Sequence, residues 1–112
     1  MTRPVRIRRG RAKGSRLTAP NDFPIVCVTR PGPWGNPFSS ALAGAQPAQK
    51  GALRERAVRR FRHALLSGDA ALPFTIEDVR HELRGKNLAC WCPLDEPCHA
   101  DVLLEVANTN RP

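Results

Sequence analysis

Apolar and basic residues alternate near the start of the chain, where Val5-Arg6-Ile7-Arg8 predicts a short strand with Val5 and Ile7 inward and both arginines outward. Ile25-Val26-Cys27-Val28 is instead an unbroken apolar run between Pro24 and Pro31-Gly32-Pro33, the pattern of a strand buried on both faces. Between these runs, Gly10 to Asn21 is polar and rich in Gly and Pro, and reads as a loop. Asn87 to Trp91 is the third strand candidate.

The helical signals lie between and after these strands. From Ala52 to Leu66, the residues Leu53, Ala57, Val58, Phe61, Ala64 and Leu65 recur at spacings that share one helix face, and Gly68 suits a left-handed C-cap. Arg54, Arg56, Arg59, Arg60 and Arg62 take the other faces and read mainly as a solvated surface, the alternative being a phosphate-binding patch. Thr75-Ile76-Glu77-Asp78 is a helix-start signal, followed by an apolar stripe of Ile76, Val79 and Leu83 that stops at Gly85. Pro97 to Ala107 forms the last expected helix, with Pro97 in its first turn, and the small residues of 39–50 read as a flexible connection. Strand, helices, strand, helix is the order of a βαβ unit. The expected fold is therefore α/β: one small domain over residues 1–112, with a short, mostly parallel sheet and packed helices, a Rossmann-like or flavodoxin-like fragment.

Composition narrows the setting. A chain of 112 residues has room for one core, and a mean hydropathy of −0.40 without a long apolar run argues against a transmembrane helix. The basic start lacks a following apolar segment of the secretory type, so a reducing cytoplasm is expected, where four cysteines mean free thiols or metal ligands rather than disulfides. The formal net charge is +8, and it is unevenly spread: residues 1–16 hold Arg3, Arg6, Arg8, Arg9, Arg11, Lys13 and Arg16 without one acid, while the remainder is nearly neutral. This asymmetry points to an anionic partner, a nucleic acid or a phosphorylated small molecule such as a nucleotide; the plainer alternative is a solvated basic end, and no membrane partner is expected.

Two motifs carry candidate chemistry. Arg30-Pro31-Gly32-Pro33-Trp34-Gly35-Asn36-Pro37-Phe38 follows the second strand, and its prolines and glycines stiffen a loop that presents a guanidinium, an indole and a carboxamide. Arg30 suits phosphate, Trp34 stacking and Asn36 a hydrogen-bonding edge; the alternative is a rigid turn whose aromatics plug the core. The second motif runs from Cys90 to Asp101 and holds three cysteines and a histidine, with Cys27 the one cysteine outside it. At the carboxyl end of a parallel strand and the start of the next helix, this motif occupies the place where open α/β folds build their sites.

Two chemistries fit it. Cys90, Cys92, Cys98 and His99 form a Cys₃His zinc set, although C-x-C-x₅-C-H lacks the common C-x₂-C knuckle. Alternatively Cys98 is a thiolate with its pKa lowered at the helix start, or His99 an acid–base group, with Asp101 or Asp95 orienting it. Inert packed thiols are the third reading. Trp34 and Trp91, the two tryptophans of the chain, fall one in each motif, which suggests a shared pocket for a planar base, with Arg6, Arg8, Lys13 and Arg30 for phosphate.

These residues resemble a family of small proteins common in actinobacteria and their phages and classed as a domain of unknown function. The likeness rests on the basic start with Arg6, Arg8, Lys13 and Gly14, on R-P-x-x-W-G-N-P-F and on L-R-G-K-N-L-A-C-W-C-P-L-D-E-P-C-H-A-D-V-L-L, covering about residues 4–38 and 75–107. Relatives often carry Trp where this chain has Ser15. A wider likeness, to small α/β proteins with C-H-R after a strand, concerns fold. The resemblance brings no activity with it. From the residues, the expectation is a cytoplasmic, phage-type protein that binds and processes a nucleotide, nucleobase or nucleic acid at a Cys/His/Trp site; the alternative is a non-enzymatic nucleic-acid-binding protein with a structural zinc.

Overall fold

A computed structural model describes residues 3–9, 18–29, 32–38, 46–92, 94 and 96–109. Lys13, Ser15, Arg30 and Asp95 from the expectations above lie outside the described residues, as does most of the basic segment 1–16.

The strands are β1 (Arg6–Arg8), β2 (Ile25–Cys27) and β3 (Asn87–Cys90); the helices are α1 (Pro47–Ser67), α2 (Ile76–Leu83) and α3 (His99–Asn108). All strand pairings are parallel and the order is β1-β3-β2, with Ile7 opposite Ala89 and Val26 opposite Leu88. The last strand in sequence is thus the central one. Every residue of β3 is buried, whereas Cys27 of β2 is exposed, so the two-faced burial expected of Ile25–Val28 belongs to β3 instead. The physical reason is position: β2 is an edge, and its apolar run serves mainly to place Val28, fully buried, beyond the strand end.

Asn87 is the polar residue that β3 can bury without loss. Its Oδ1 accepts from the Val5 N–H (2.9 Å) and from Asn21, while its Nδ2 donates to Asn21 Oδ1 (2.7 Å) and the Phe23 carbonyl (3.0 Å). These bonds tie both outer strand entries to the central one, as a buried amide must be satisfied to be tolerated.

Among the described residues α1 and α2 lie between β2 and β3, and α3 then packs against β1, β3, α1 and α2 together. Phe61, Ala64 and Leu65 of α1 meet Val79 and Leu83 of α2 and Val102, Leu103 and Val106 of α3 in one core. Fully burying a Phe or Leu side chain is worth about 1.5–3 kcal/mol, so these positions carry the fold. α1 begins at Pro47, earlier than the periodicity indicated, because proline at the first position is compatible with a helix start and Ala48 to Lys50 continue it. It ends on Gly68 in the left-handed conformation (φ 71°), as expected. α2 starts with the expected capping box: Asp78 N–H donates to Thr75 Oγ1, and Asp78 Oδ2 accepts from the Thr75 N–H. Pro97 precedes α3 rather than entering it, and Cys98 is the N-cap.

Candidate metal centre

The carboxyl edge of the sheet gathers three chain segments. Past β1, the Arg9 N–H donates to the Cys90 carbonyl (2.7 Å); past β2, the Val28 N–H donates to the Ala89 carbonyl (2.9 Å); β3 itself runs into Trp91 and Cys92. The N-terminus of α3 closes on the same edge, because α3 packs on both β1 and β3.

Here the Sγ atoms of Cys90, Cys92 and Cys98 all lie within 4.8 Å of one another, so the three cysteines could hold a metal ion. Zinc–thiolate bonds of about 2.3 Å put sulfurs of a tetrahedral site about 3.8 Å apart, so little movement is needed. Cys90 and Cys98 are about 1% exposed and Cys92 is half-buried, which leaves the centre one partly open side. The Cys92 thiol is held well below the ordinary value, first by hydrogen bonding from Cys90, then from Cys98, and further by the positive charge of Arg54. Cys90 is pushed up first by its hydrogen bond to Cys92, against a lowering contact from Cys98, and Cys98 is pushed up by its hydrogen bonds to Cys90 and Cys92, with burial adding to both. One thiolate flanked by two thiols is a charge arrangement that a cation completes by replacing protons.

The lowered pKa expected for Cys98 is therefore corrected. Its sulfur faces Cys90 and Cys92, and their demand for its proton outweighs the Ala100 amide at the helix start. His99 also departs from the expected Cys₃His set. Its Nε2 is 2.7 Å from the Val28 carbonyl and so donates the proton there, its Nδ1 lies 3.6 Å from Cys98 Sγ, and it does not join the three-thiol group. The ring meets Phe61 edge-on at 5.4 Å, and burial lowers its pKa, keeping it neutral.

Asp101 Oδ2 accepts from the Cys98 N–H (3.2 Å) and from Arg6 (3.1 Å). Arg6 also donates to the carbonyls of Leu94 (2.8 Å) and Glu96 (2.8 Å), and its side chain is 7% exposed. The outward orientation expected of both strand arginines thus holds for Arg8, which is exposed, and fails for Arg6. Arg6 turns inward because its planar fork serves the carboxylate from Nη1 and the two carbonyls from Nη2. It fastens the turn that delivers Cys98.

Trp34 packs against Phe74 (4.7 Å between centroids) and, with Phe38, lies along the core; Trp91 lies under the Arg9 guanidinium (4.3 Å). Asn36 is buried: its Oδ1 accepts from the Phe38 N–H (2.8 Å) and its Nδ2 donates to the Ala57 carbonyl (3.1 Å), pinning the loop to α1.

Several residues at this edge escaped the sequence reading. Arg9 donates to Thr29 Oγ1 (2.8 Å) while covering Trp91. Arg54 is paired with Glu96 and its charge reaches Cys92. A signal existed for Arg54: it stands three, four and seven residues before Ala57, Val58 and Phe61, on the apolar stripe rather than opposite it.

Fold and site together define a small α/β protein whose described residues form three helices, a parallel three-stranded sheet and a three-cysteine centre at its carboxyl edge. The chain belongs to the family described as Domain of unknown function (DUF4326), whose model matches residues 7–109. No curated protein and no solved structure matches it. No helix among the described residues is long and apolar enough to cross a membrane.

Proposed function

We propose that the protein binds a nucleotide or nucleic acid at the carboxyl edge of its sheet and processes it at the three-cysteine centre with zinc as the metal. One observation carries this reading: the Arg9–Trp91–Thr29 cluster and the three sulfurs leave the same strand ends. A guanidinium on an indole offers charge for phosphate beside a flat aromatic surface for a base. Cys90, Cys92 and Cys98 would hold the metal, and three soft thiolates would favour zinc over magnesium or calcium. Zinc held in this way would supply Lewis-acid chemistry to the bound ligand. Arg54, paired with Glu96 at the centre, offsets the negative charge of the thiolates. Free thiols suit a reducing cytoplasm, and the resemblance suggests an actinobacterial or phage source.

A second reading has its own support. Two of the three sulfurs are buried to about 1%, as in a closed structural zinc site of a non-enzymatic nucleic-acid-binding protein. One titration addresses the common ligand class. With Trp34 and Trp91 as the chain's two tryptophans, a nucleotide at this edge quenches intrinsic emission in a saturable way, and Arg9→Gln weakens that binding about tenfold, in line with one lost charge-assisted contact. Absence of quenching by any nucleotide, in zinc-loaded and zinc-free protein alike, overturns the proposal.

A further inference from the structure

α1 carries six Lys or Arg residues and a single acid, Glu55. Two of these cations are engaged: Arg54 pairs with Glu96 and Arg62 with Glu105. Arg56, Arg59 and Arg60 have no ion pair among the described residues, and with His63 they follow the spacing i, i+3, i+4, i+7. They therefore form one continuous ridge, the exposed counterpart of the buried stripe Ala57–Phe61–Ala64. Like charges at such spacings repel, so the bare helix carries an electrostatic penalty that a polyanion would relieve.

The ridge also has a shape. Arg56, Arg59, Arg60 and His63 line a groove of about 430 Å³ whose other walls include Phe38 and Asp69. Arg60 is fixed there by lying over the Phe38 ring at 4.4 Å, and Phe38 in turn ends the loop that Asn36 pins to Ala57. Asp69 brings the one carboxylate of the groove, and it is occupied with the Ala71 N–H (2.8 Å). A second groove, of about 520 Å³, shares Arg59 and His63 and adds Arg62 and Leu66, so the ridge is flanked on both sides by space. Over the seven-residue step from Arg56 to His63 a helix rises about 10 Å, a length that spans several phosphates of a strand rather than one.

We propose that this face of α1 is a track for the sugar-phosphate backbone of a nucleic acid strand, held by Arg56, Arg59 and Arg60. The inference deepens the ligand class proposed above and rests on it: the ligand at the sheet edge is then a residue of a polymer, not a free nucleotide. Charge complementarity and the length of the ridge argue for a polyanion.

The experiment uses the zinc-loaded full chain and a fluorescein-labelled single-stranded 20-mer, in DNA and RNA form, over a salt series. The variant Arg56→Gln/Arg59→Gln/Arg60→Gln binds the 20-mer at least tenfold more weakly near 0.1 M salt. Its salt slope falls by about 2, since each lost single-strand phosphate contact removes about 0.7. Quenching of tryptophan emission by a mononucleotide is unchanged in the variant. Arg56→Gln/Arg59→Gln, which keeps the Arg60–Phe38 contact, shows about two-thirds of the change in slope and guards against a folding defect. Wild-type affinity and slope in both variants, at unchanged thermal stability, overturn the track. So does a wild-type protein that binds mononucleotides and ignores the 20-mer at low salt, which leaves the sheet-edge reading standing. Binding of the 20-mer through the three arginines with no mononucleotide quenching supports the track and counts against the edge site.

Discussion

Replacing Arg6 by Met keeps the unbranched stem and removes the fork that joins β1 to the turn before α3. Three hydrogen bonds are lost, to Asp101, Leu94 and Glu96. A bond to a charged group is worth about 1.5–3 kcal/mol when shielded, but Asp101 is half exposed and the Leu94 contact is at the surface, so each of those is worth about 0.5 kcal/mol. The Glu96 carbonyl, partly buried, contributes about 1–2 kcal/mol and brings the sum to about 2–3 kcal/mol. For a chain of this length the expected fall in Tm is about 10–15 °C, read by circular dichroism or calorimetry. Arg6→Lys recovers less than half of it, because a shorter point-like ammonium lacks the planar fork that places one nitrogen at the Asp101 carboxylate and the other at both carbonyls. Because the same turn delivers Cys98, zinc affinity drops in parallel. A loss below about 0.5 kcal/mol, or full recovery by Lys, refutes the assignment of Arg6 as the fastener.

Asn87→Ala strips four hydrogen bonds from a fully buried position and is expected to cost about 2–4 kcal/mol in chemical denaturation; a near-neutral result would show that the Val5 and Asn21 groups find other partners. Thr75→Ala removes the cap of α2 and lowers stability by about 1 kcal/mol, whereas Thr75→Ser leaves it nearly unchanged. In zinc-loaded protein a thiol reagent modifies Cys27 alone, the exposed cysteine, and after chelation Cys92 reacts next because it is the sulfur held as thiolate; faster modification of Cys98 than of Cys92 contradicts the charge distribution described.

Much of the fold was legible because local rules and tertiary packing agree. The α1 stripe, the Gly68 C-cap and the Thr75 box are all read over three or four residues, and each is found. The juxtaposition of Cys90, Cys92 and Cys98 was legible for the same kind of reason: a strand end and a helix start in one βαβ-type unit face the same edge. What escaped depends on partners distant in sequence. Whether Arg6 points out or in is decided by carbonyls nearly ninety residues away. Whether His99 joins the sulfurs is decided by Val28, whose carbonyl fixes the ring. The two-faced burial read from the apolar run Ile25–Val28 belongs instead to Asn87–Cys90, which takes the middle of the sheet with its amide satisfied. Arg54 was hidden by counting arginines as surface rather than by asking which stripe each occupies.

The central claim is that Cys90, Cys92 and Cys98 form one metal centre. Cobalt(II) tests it most directly, since thiolate coordination gives an intense charge-transfer absorption that grows with the number of Co–S bonds and that zinc abolishes by displacing the cobalt. Titration of reduced protein should saturate at one equivalent with the intensity of three Co–S bonds. The signal should be lost or cut by at least a third in Cys90→Ser, Cys92→Ser and Cys98→Ser, and should be kept in Cys27→Ser. Failure to bind cobalt stoichiometrically, or a spectrum indifferent to the three substitutions, would contradict the account.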